Sequence, residues 1–181
     1  MNIRNTTKPD EPAIRQAHEA AFGPLEGRTI GDLAAALLHD PAARPLISLF
    51  ACSGSTPIGH ALFTSVRILG PDESPTSCIL APLAVLPDRQ RQGIGTQLVR
   101  GGLAMLAKSG CELVFVLGHP GYYPRFGFQP AGRLGFSAPY PIPEKNADAW
   151  MLLALSRGLL GNTSGAVRCA ESLNKPEYWR E

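Results

Sequence analysis

Leu83-Ala84-Val85-Leu86-Pro87-Asp88-Arg89-Gln90-Arg91-Gln92-Gly93-Ile94-Gly95-Thr96 is the stretch on which the fold turns. An apolar run that stops at a proline reads as the end of a strand. A polar turn follows and closes on two glycines. The apolar periodicity after them predicts a helix to about Ser109, with Gly110 as its stop. A helix start offers unpaired backbone N–H groups and a partial positive charge. Glycines let a ligand approach the backbone closely. The unit therefore predicts a phosphate-binding turn. It lacks the lysine of the G-x-x-x-x-G-K-[ST] loop. It also lacks the third glycine of G-x-G-x-x-G, because Leu98 stands there, and Glu112 lies at the near end of the next strand, not the far end.

Working outward, Asp10 caps a helix over about Glu11 to Phe22, and Thr29-Ile30-Gly31-Asp32 opens a second one with Ile30, Leu33, Ala34, Leu37 and Leu38 on one face. The apolar runs Leu46 to Cys52 and Pro57 to Leu69, around Ser53-Gly54-Ser55-Thr56, predict an antiparallel hairpin. Gly70 to Pro75 is a turn, and Ser77 to Leu86 a further strand. Glu112 to Leu117 reads as a buried strand, residues 131–147 as irregular, and Ala149 to Leu155 as a final strand. Residues 157–181 read as an extension packed on the domain of residues 1–156, with Tyr178 and Trp179 as anchors. Helices, antiparallel strands and then strand–helix–strand make a mixed α/β fold, one sheet layer covered by helices.

Composition narrows the function. The chain has 181 residues, 44% hydrophobic and 18% charged, a globular composition for one domain. A net charge of +2 is no footprint of a protein that lives on nucleic acid or an anionic membrane. Gly and Pro supply 36 of the 181 residues, so the site should be rich in loops. No Cys-x-x-Cys pair occurs, and His18, His39, His60 and His119 sit alone in the sequence, which argues against a metal site. The N-terminal residues lack the apolar core of a signal peptide, and no uncharged run is fit to span a membrane. The expectation is a reduced, cytoplasmic protein.

Two motifs carry a resemblance. Gln90-x-x-Gly93-x-Gly95, after the strand Leu83 to Pro87, resembles the pyrophosphate motif of the GNAT superfamily of acyl-CoA-dependent N-acyltransferases. Downstream, Tyr123-Pro124-Arg125-Phe126-Gly127-Phe128 is similar to that family's Tyr-x-x-x-Gly-Phe. The run Leu117 to Phe128 is similar to one in the bacterial YhbS-like branch. The likeness covers about residues 3–156. It implies a GNAT fold: a central mixed, mostly antiparallel sheet, splayed between its fourth and fifth strands and flanked by helices. It also implies direct transfer of an acetyl group from acetyl-CoA to a primary amine of a small molecule or peptide, with no metal. A weakly catalytic acyl-CoA-binding sensor is the alternative. A nicotinamide-dependent reductase is a further reading of the glycine turn. A monomer and a homodimer are both compatible with the resemblance.

The resemblance also assigns positions. Leu83, Ala84 and Val85 would pair with the pantetheine arm as an added strand would. Gln90 belongs to the motif, and the amides of Arg91, Gln92, Gly93, Ile94, Gly95 and Thr96 would hold the pyrophosphate. Arg89, Arg91 and Arg100 could add charge. Pro82 cannot donate within a regular central strand, so the pairing there should be irregular. The departing thiolate wants a proton, and a tyrosine hydroxyl is a suitable donor. The family gives that role to Tyr123, and Tyr122 is offset by one from the motif. No carboxylate occurs in residues 78–86, so a base on that strand is absent. His119, Glu26 and a water chain stand as candidate bases, since an imidazole titrates near neutrality. Neither Cys78 nor Cys111 sits in a Cys–His motif for a covalent route. Residues 23–29 and 131–147 should border the acceptor pocket, and the second set is apolar and rigid. It favours a modest apolar amine or an α-amino group over a strongly cationic acceptor.

Overall fold

Strands that are apolar at nearly every position must be covered on both faces. Leu49, Phe50, Ala51 and Cys52 are all buried, as are Ala61, Leu62 and Phe63. In the computed structural model, which describes residues 1–70 and 74–180, a single sheet runs through the middle of the molecule. Its strands are β1 (Asn2–Asn5), β2 (Ile47–Ser53), β3 (Thr56–Leu69), β4 (Ser77–Val85), β5 (Leu113–Leu117), β6 (Gln129–Pro130) and β8 (Trp150–Ala154), in the order β1-β2-β3-β4-β5-β8-β6. The β4–β5 pair is parallel, and the other pairs on this path are antiparallel. This is the mixed, mostly antiparallel sheet expected. Of the turn expected over 70–75, Pro71, Asp72 and Glu73 lie outside the described residues.

One face is covered by α2 (Ile94–Lys108), which buries Ile94, Leu98, Val99 and Leu106 against Leu49, Phe63, Leu80 and Val116. The other face is covered by α1 (Glu11–His39), a helical hairpin. Its chain reverses at Gly23, whose φ of 71° is open to glycine at no steric cost. Pro24 then occupies a first-turn position, where its missing N–H is not needed. The two halves, 11–22 and 24–39, lie back to back. Arg15 pairs with Asp32, and His39 Nε2 lies 2.8 Å from Glu11 Oε2. Gly27 and Gly31 make the approach possible: a Cβ at Gly27 would overlap the Glu19 carbonyl, and one at Gly31 would lie 3.0 Å from the Arg15 carbonyl. The second helix thus begins at Pro24, not at Thr29, and only Gly23 remains of the expected loop over 23–29.

Three further features depart from the expected pattern. Asn2–Asn5 pairs with β2 as an edge strand, although this polar segment carries little strand signal. The segment 131–147 contains the two-residue strand β7 (Phe136–Ser137). Within the C-terminal segment, β9 (Gly165–Arg168) pairs with β7 and with the far end of β3, from Arg67 to Leu69. Trp179 is 2% exposed, its ring is 5.6 Å from that of Trp150, and its Nε1–H donates to the Leu173 carbonyl. Phe115 and Phe136 complete this aromatic cluster.

Two histidines that stand alone in the sequence meet in space. His18 and His60, 42 residues apart, are fully buried and joined Nε2 to Nδ1 at 2.8 Å. His60 Nε2 lies 2.8 Å from Ser48 Oγ, and the Thr6 hydroxyl donates to the same oxygen. Burial pushes His18 down to about 3. Burial and the neighbouring His18 hold His60 well below its ordinary value.

Candidate functional site

The site begins where two strands part. β4 and β5 pair only from Ser77–Leu113 to Ile79–Phe115. Beyond Ile79, β4 continues on β3 alone and β5 on β8. The β3–β4 register shifts between Ala61 and Phe63, opposite a stretch of β4 that contains Pro82. The shift re-aims the side chains: Leu80, Leu83 and Val85 all pack on the α2 side, while Ile79 and Ala81 pack on the α1 side. The β5-facing edge of residues 80–85 is left without a strand partner among the described residues. An extended ligand can add to such an edge.

Past Val85 the chain turns into the loop that precedes α2. Arg91 (φ 60°) and Gly93 (φ 81°) both take left-handed backbone. For a non-glycine residue such as Arg91 this costs on the order of 1–2 kcal/mol, a feature that clusters at ligand-binding turns. Among the described residues, the amides of Gln92, Gly93, Ile94, Gly95 and Thr96 donate to no protein acceptor. Gln90 Nε2 donates to the Val85 carbonyl at 3.2 Å and Gln92 Nε2 to the Asp88 carbonyl at 3.1 Å, which brace the loop. Arg89, Arg91 and Arg100 are exposed, and Arg89 also pairs with Asp88 at 3.3 Å. Five free amides at the start of a 15-residue helix form a concave donor set for an anion.

A cavity of about 440 Å³ fills the gap between the strands. Its β-sheet wall runs from Ile79 to Leu83, and its far side is the end of β5 with Gly118, His119, Tyr122 and Tyr123. The Tyr123 ring is buried and packs directly over Gly118, where a Cβ would overlap it. Tyr122 stands at right angles to it, with ring centroids 5.0 Å apart. The Tyr122 hydroxyl reaches the first turn of α2, 2.7 Å from where a Cβ on Gly95 would lie. Arg125 sits over the Tyr122 ring at 4.6 Å. His119 is exposed, and its Nδ1 accepts the Gly121 N–H at 3.0 Å. Its neutral ring therefore carries the hydrogen on Nε2.

The third wall is the second half of α1, with Leu25, Glu26, Thr29, Ile30 and Leu33, joined by Phe22 from the end of the first half. The expected border at 131–147 is not found. Phe136 lies in the core, and the Tyr140 hydroxyl donates to the Asn174 carbonyl at 3.0 Å. That segment supports the C-terminal one, and it is Leu173, Glu177, Tyr178, Trp179 and Arg180 that line the cavity. Sequence reasoning left these residues without a role, although an aromatic pair in a polar tail already marked the tail as anchored. Asp40 fixes its start: its carboxylate accepts from Ser172 N and Oγ and from Ala42 N, each at 2.8 Å. Burial pushes the Asp40 pKa up, but these donors outweigh it and hold it below its ordinary value.

None of the four cysteines lines the cavity. The hydrogen bond to Cys111 and burial hold the Cys78 thiol far above its ordinary value, and burial pushes Cys169 up to about 12. Among the described residues no three His, Cys, Asp or Glu side chains gather as a metal site, and no helix is long and apolar enough to cross a membrane.

Comparison with known proteins places this arrangement. Residues 11–128 match the model of the acetyltransferase (GNAT) family. The uncharacterized N-acetyltransferase YjhQ of Escherichia coli K12 is 46% identical over 92% of this chain and 90% of its own length. The structure is similar to that of YhbS from Escherichia coli in complex with CoA, with a TM-score of 0.84 and 28% identity over 96% of this chain and 92% of that one. It is also similar to a GNAT family acetyltransferase from Brucella melitensis in complex with acetyl-CoA, with a TM-score of 0.75 and 31% identity over 95% and 97% of the two chains. By both the family model and the relative at 46% identity, the chain belongs to the GNAT family of acetyltransferases.

Proposed function

We propose that the protein transfers the acetyl group of acetyl-CoA directly to the primary amine of a small molecule or peptide in the cytoplasm. The observation that carries this reading is the unpaired edge of residues 80–85 running straight into a turn with five free amides. An acetyl-CoA laid on that line puts its pantetheine arm along Leu83, Ala84 and Val85. Its pyrophosphate then meets the amides of Gln92 to Thr96, with Arg91 beside them. Its thioester enters the cavity that Tyr123 lines.

The chemistry follows from the groups around that point. The acceptor arrives as an ammonium and must lose a proton before its nitrogen can attack the thioester carbon. A backbone N–H of Leu83 or a neighbour stabilises the oxyanion as the tetrahedral intermediate forms. Collapse breaks the carbon–sulfur bond, the Tyr123 hydroxyl gives its proton to the leaving thiolate, and the excess proton on the former amine nitrogen returns to the Tyr123 phenolate through water, leaving a neutral amide and a neutral thiol. For the base, the Nδ1 lone pair of His119 is already engaged by Gly121. This favours Glu26, acting directly or through water, as the group that takes the ammonium proton. The absence of any cysteine from the cavity lining supports direct transfer.

The test is isothermal titration with acetyl-CoA beside Gly93→Glu, followed by thiol release with a panel of amines. Micromolar binding that the variant loses, with turnover of at least one amine, is the expected result. Binding without turnover of any amine would turn the reading to an acyl-CoA sensor. No binding to the native protein would overturn it.

A further inference from the structure

The charges around the site are divided. Arg89, Arg91 and Arg100 lie at the α2 end, where an anionic cofactor would sit. At the opposite end, Glu26 from α1 and Glu177 from the C-terminal segment line the cavity, with Arg180 the only arginine or lysine there among the described residues. The same end shows unusual apolar surface. Phe22 is 37% and Leu25 94% exposed, two of only four large hydrophobic side chains left exposed among the described residues, and both line the cavity. The wall opposite them is held in place by Asp40 on Ser172, Tyr140 on Asn174 and the buried Trp179. It is a fixed surface, not a loose tail.

We propose that this end of the cavity selects a primary amine carried on an apolar body, an aryl- or alkylamine with one positive charge and no carboxylate. Phe22 and Leu25 cover the body, and Glu177 together with Glu26 receives the ammonium. The proposal rests on the acetyl-transfer reading above and adds the acceptor class to it. An ammonium in a partly dry cavity gains from charge-assisted hydrogen bonds to a carboxylate. A polycation would need more acid than two glutamates set against one arginine. A small hydroxylated amine would leave Phe22 and Leu25 in water and forgo their burial. The volume, about 440 Å³ and shared with the thioester end, suits a small acceptor.

The experiment measures thiol release from acetyl-CoA with 2-phenylethylamine, phenylalanine, ethanolamine and spermidine. Phenylalanine adds the carboxylate that Arg180 could pair with, ethanolamine removes the apolar body, and spermidine adds charge. The expected result is a kcat/KM for 2-phenylethylamine at least about tenfold above the other three. Glu177→Gln should raise its KM by roughly tenfold, the loss of one charge-assisted hydrogen bond, with the change falling on KM and not on the acetyl-CoA Kd. Leu25→Ser should raise the same KM severalfold. Preference for any of the other three amines, or an unchanged KM in Glu177→Gln, overturns the proposal. If acetyl-CoA binds and no amine turns over, 2-phenylethylamine is titrated into the CoA-loaded protein. Saturable binding weakened by Glu177→Gln then supports the proposal, and no binding overturns it. If acetyl-CoA itself does not bind, the acetyl-transfer reading fails and the acceptor class falls with it.

Discussion

Lowering the pH from 7 to 5 should cost this protein at least about 2 kcal/mol of folding stability through the buried His18–His60 pair. Both rings are 0% exposed, and they share one hydrogen bond of 2.8 Å, so two positive charges cannot coexist there. His18 Nδ1 has no partner among the described residues that could receive an added proton. Burial holds His18 down at about 3, and burial with the neighbouring ring holds His60 well below 6.5. In the unfolded chain both return to about 6.5. The sign follows: below 6.5 the unfolded state binds more protons than the native state, so stability falls as the pH falls. The slope is about 1.4 kcal/mol per pH unit for His18, 1.5 units give about 2 kcal/mol, and His60 adds to the loss in the same direction. Other shifted groups act elsewhere. Asp10, on which Arg4 donates two hydrogen bonds, and Asp40 both have lowered pKa values, so their contribution is lost only below about pH 4. The raised cysteines act on the alkaline side. The assay is urea unfolding at pH 7, 6 and 5, followed by the fluorescence of the buried Trp150 and Trp179. His18→Leu should reduce the slope. A stability that stays flat from pH 7 to 5, or a slope that His18→Leu leaves unchanged, would refute the reasoning.

Three other outcomes are expected. Tyr123→Phe should lower kcat roughly a hundredfold and leave the acetyl-CoA Kd unchanged, measured by steady-state kinetics beside titration, while Tyr122→Phe should act mainly on that Kd. Gly95→Ala places a methyl 2.7 Å from the Tyr122 hydroxyl, and the overpacking should weaken acetyl-CoA binding by roughly tenfold. Trp179→Ala should destabilise the fold by about 3–5 kcal/mol in thermal unfolding. It should also raise KM for amines while acetyl-CoA still binds, because Trp179 holds the C-terminal wall.

The glycine turn before α2 was legible because its geometry is local. A turn that frees its amides needs Gly93 at positive φ, and the packing of α2 and Tyr122 needs Gly95, so the glycines announce the turn. The β4–β5 splay was readable through the resemblance and through Pro82. The acceptor side was not legible. Nothing in the sequence near Glu177 says that it shares a cavity with Glu26, because that placement depends on Asp40 reaching Ser172 across 132 residues. For the same reason the irregular segment 131–147 was given the pocket that the C-terminal residues line. The helical hairpin had a signal that went unread, since Gly23 precedes Pro24 at the reversal and Gly27 and Gly31 stand one turn apart along the contact between its halves. His18 and His60 looked solitary because partners on a helix and a strand carry no common spacing.

The cavity has consequences for how such an enzyme diversifies. Its sheet half, from Ile79–Leu83 and Leu117–Tyr123, lies within one stretch of the chain and can be inherited as a unit under steady selection. Its other half is divided between Phe22–Leu33 and Leu173–Arg180, with most of the gene between them. On the acetyl-transfer proposal, descendants that adopt a new acceptor must therefore change at two remote places in step, and a recombination that exchanges only one of them unites walls that never evolved together. A directed-evolution library confined to either stretch explores only one side of the opening, whereas one that randomises Leu25, Glu26 and Glu177 jointly reaches combinations closed to single substitutions.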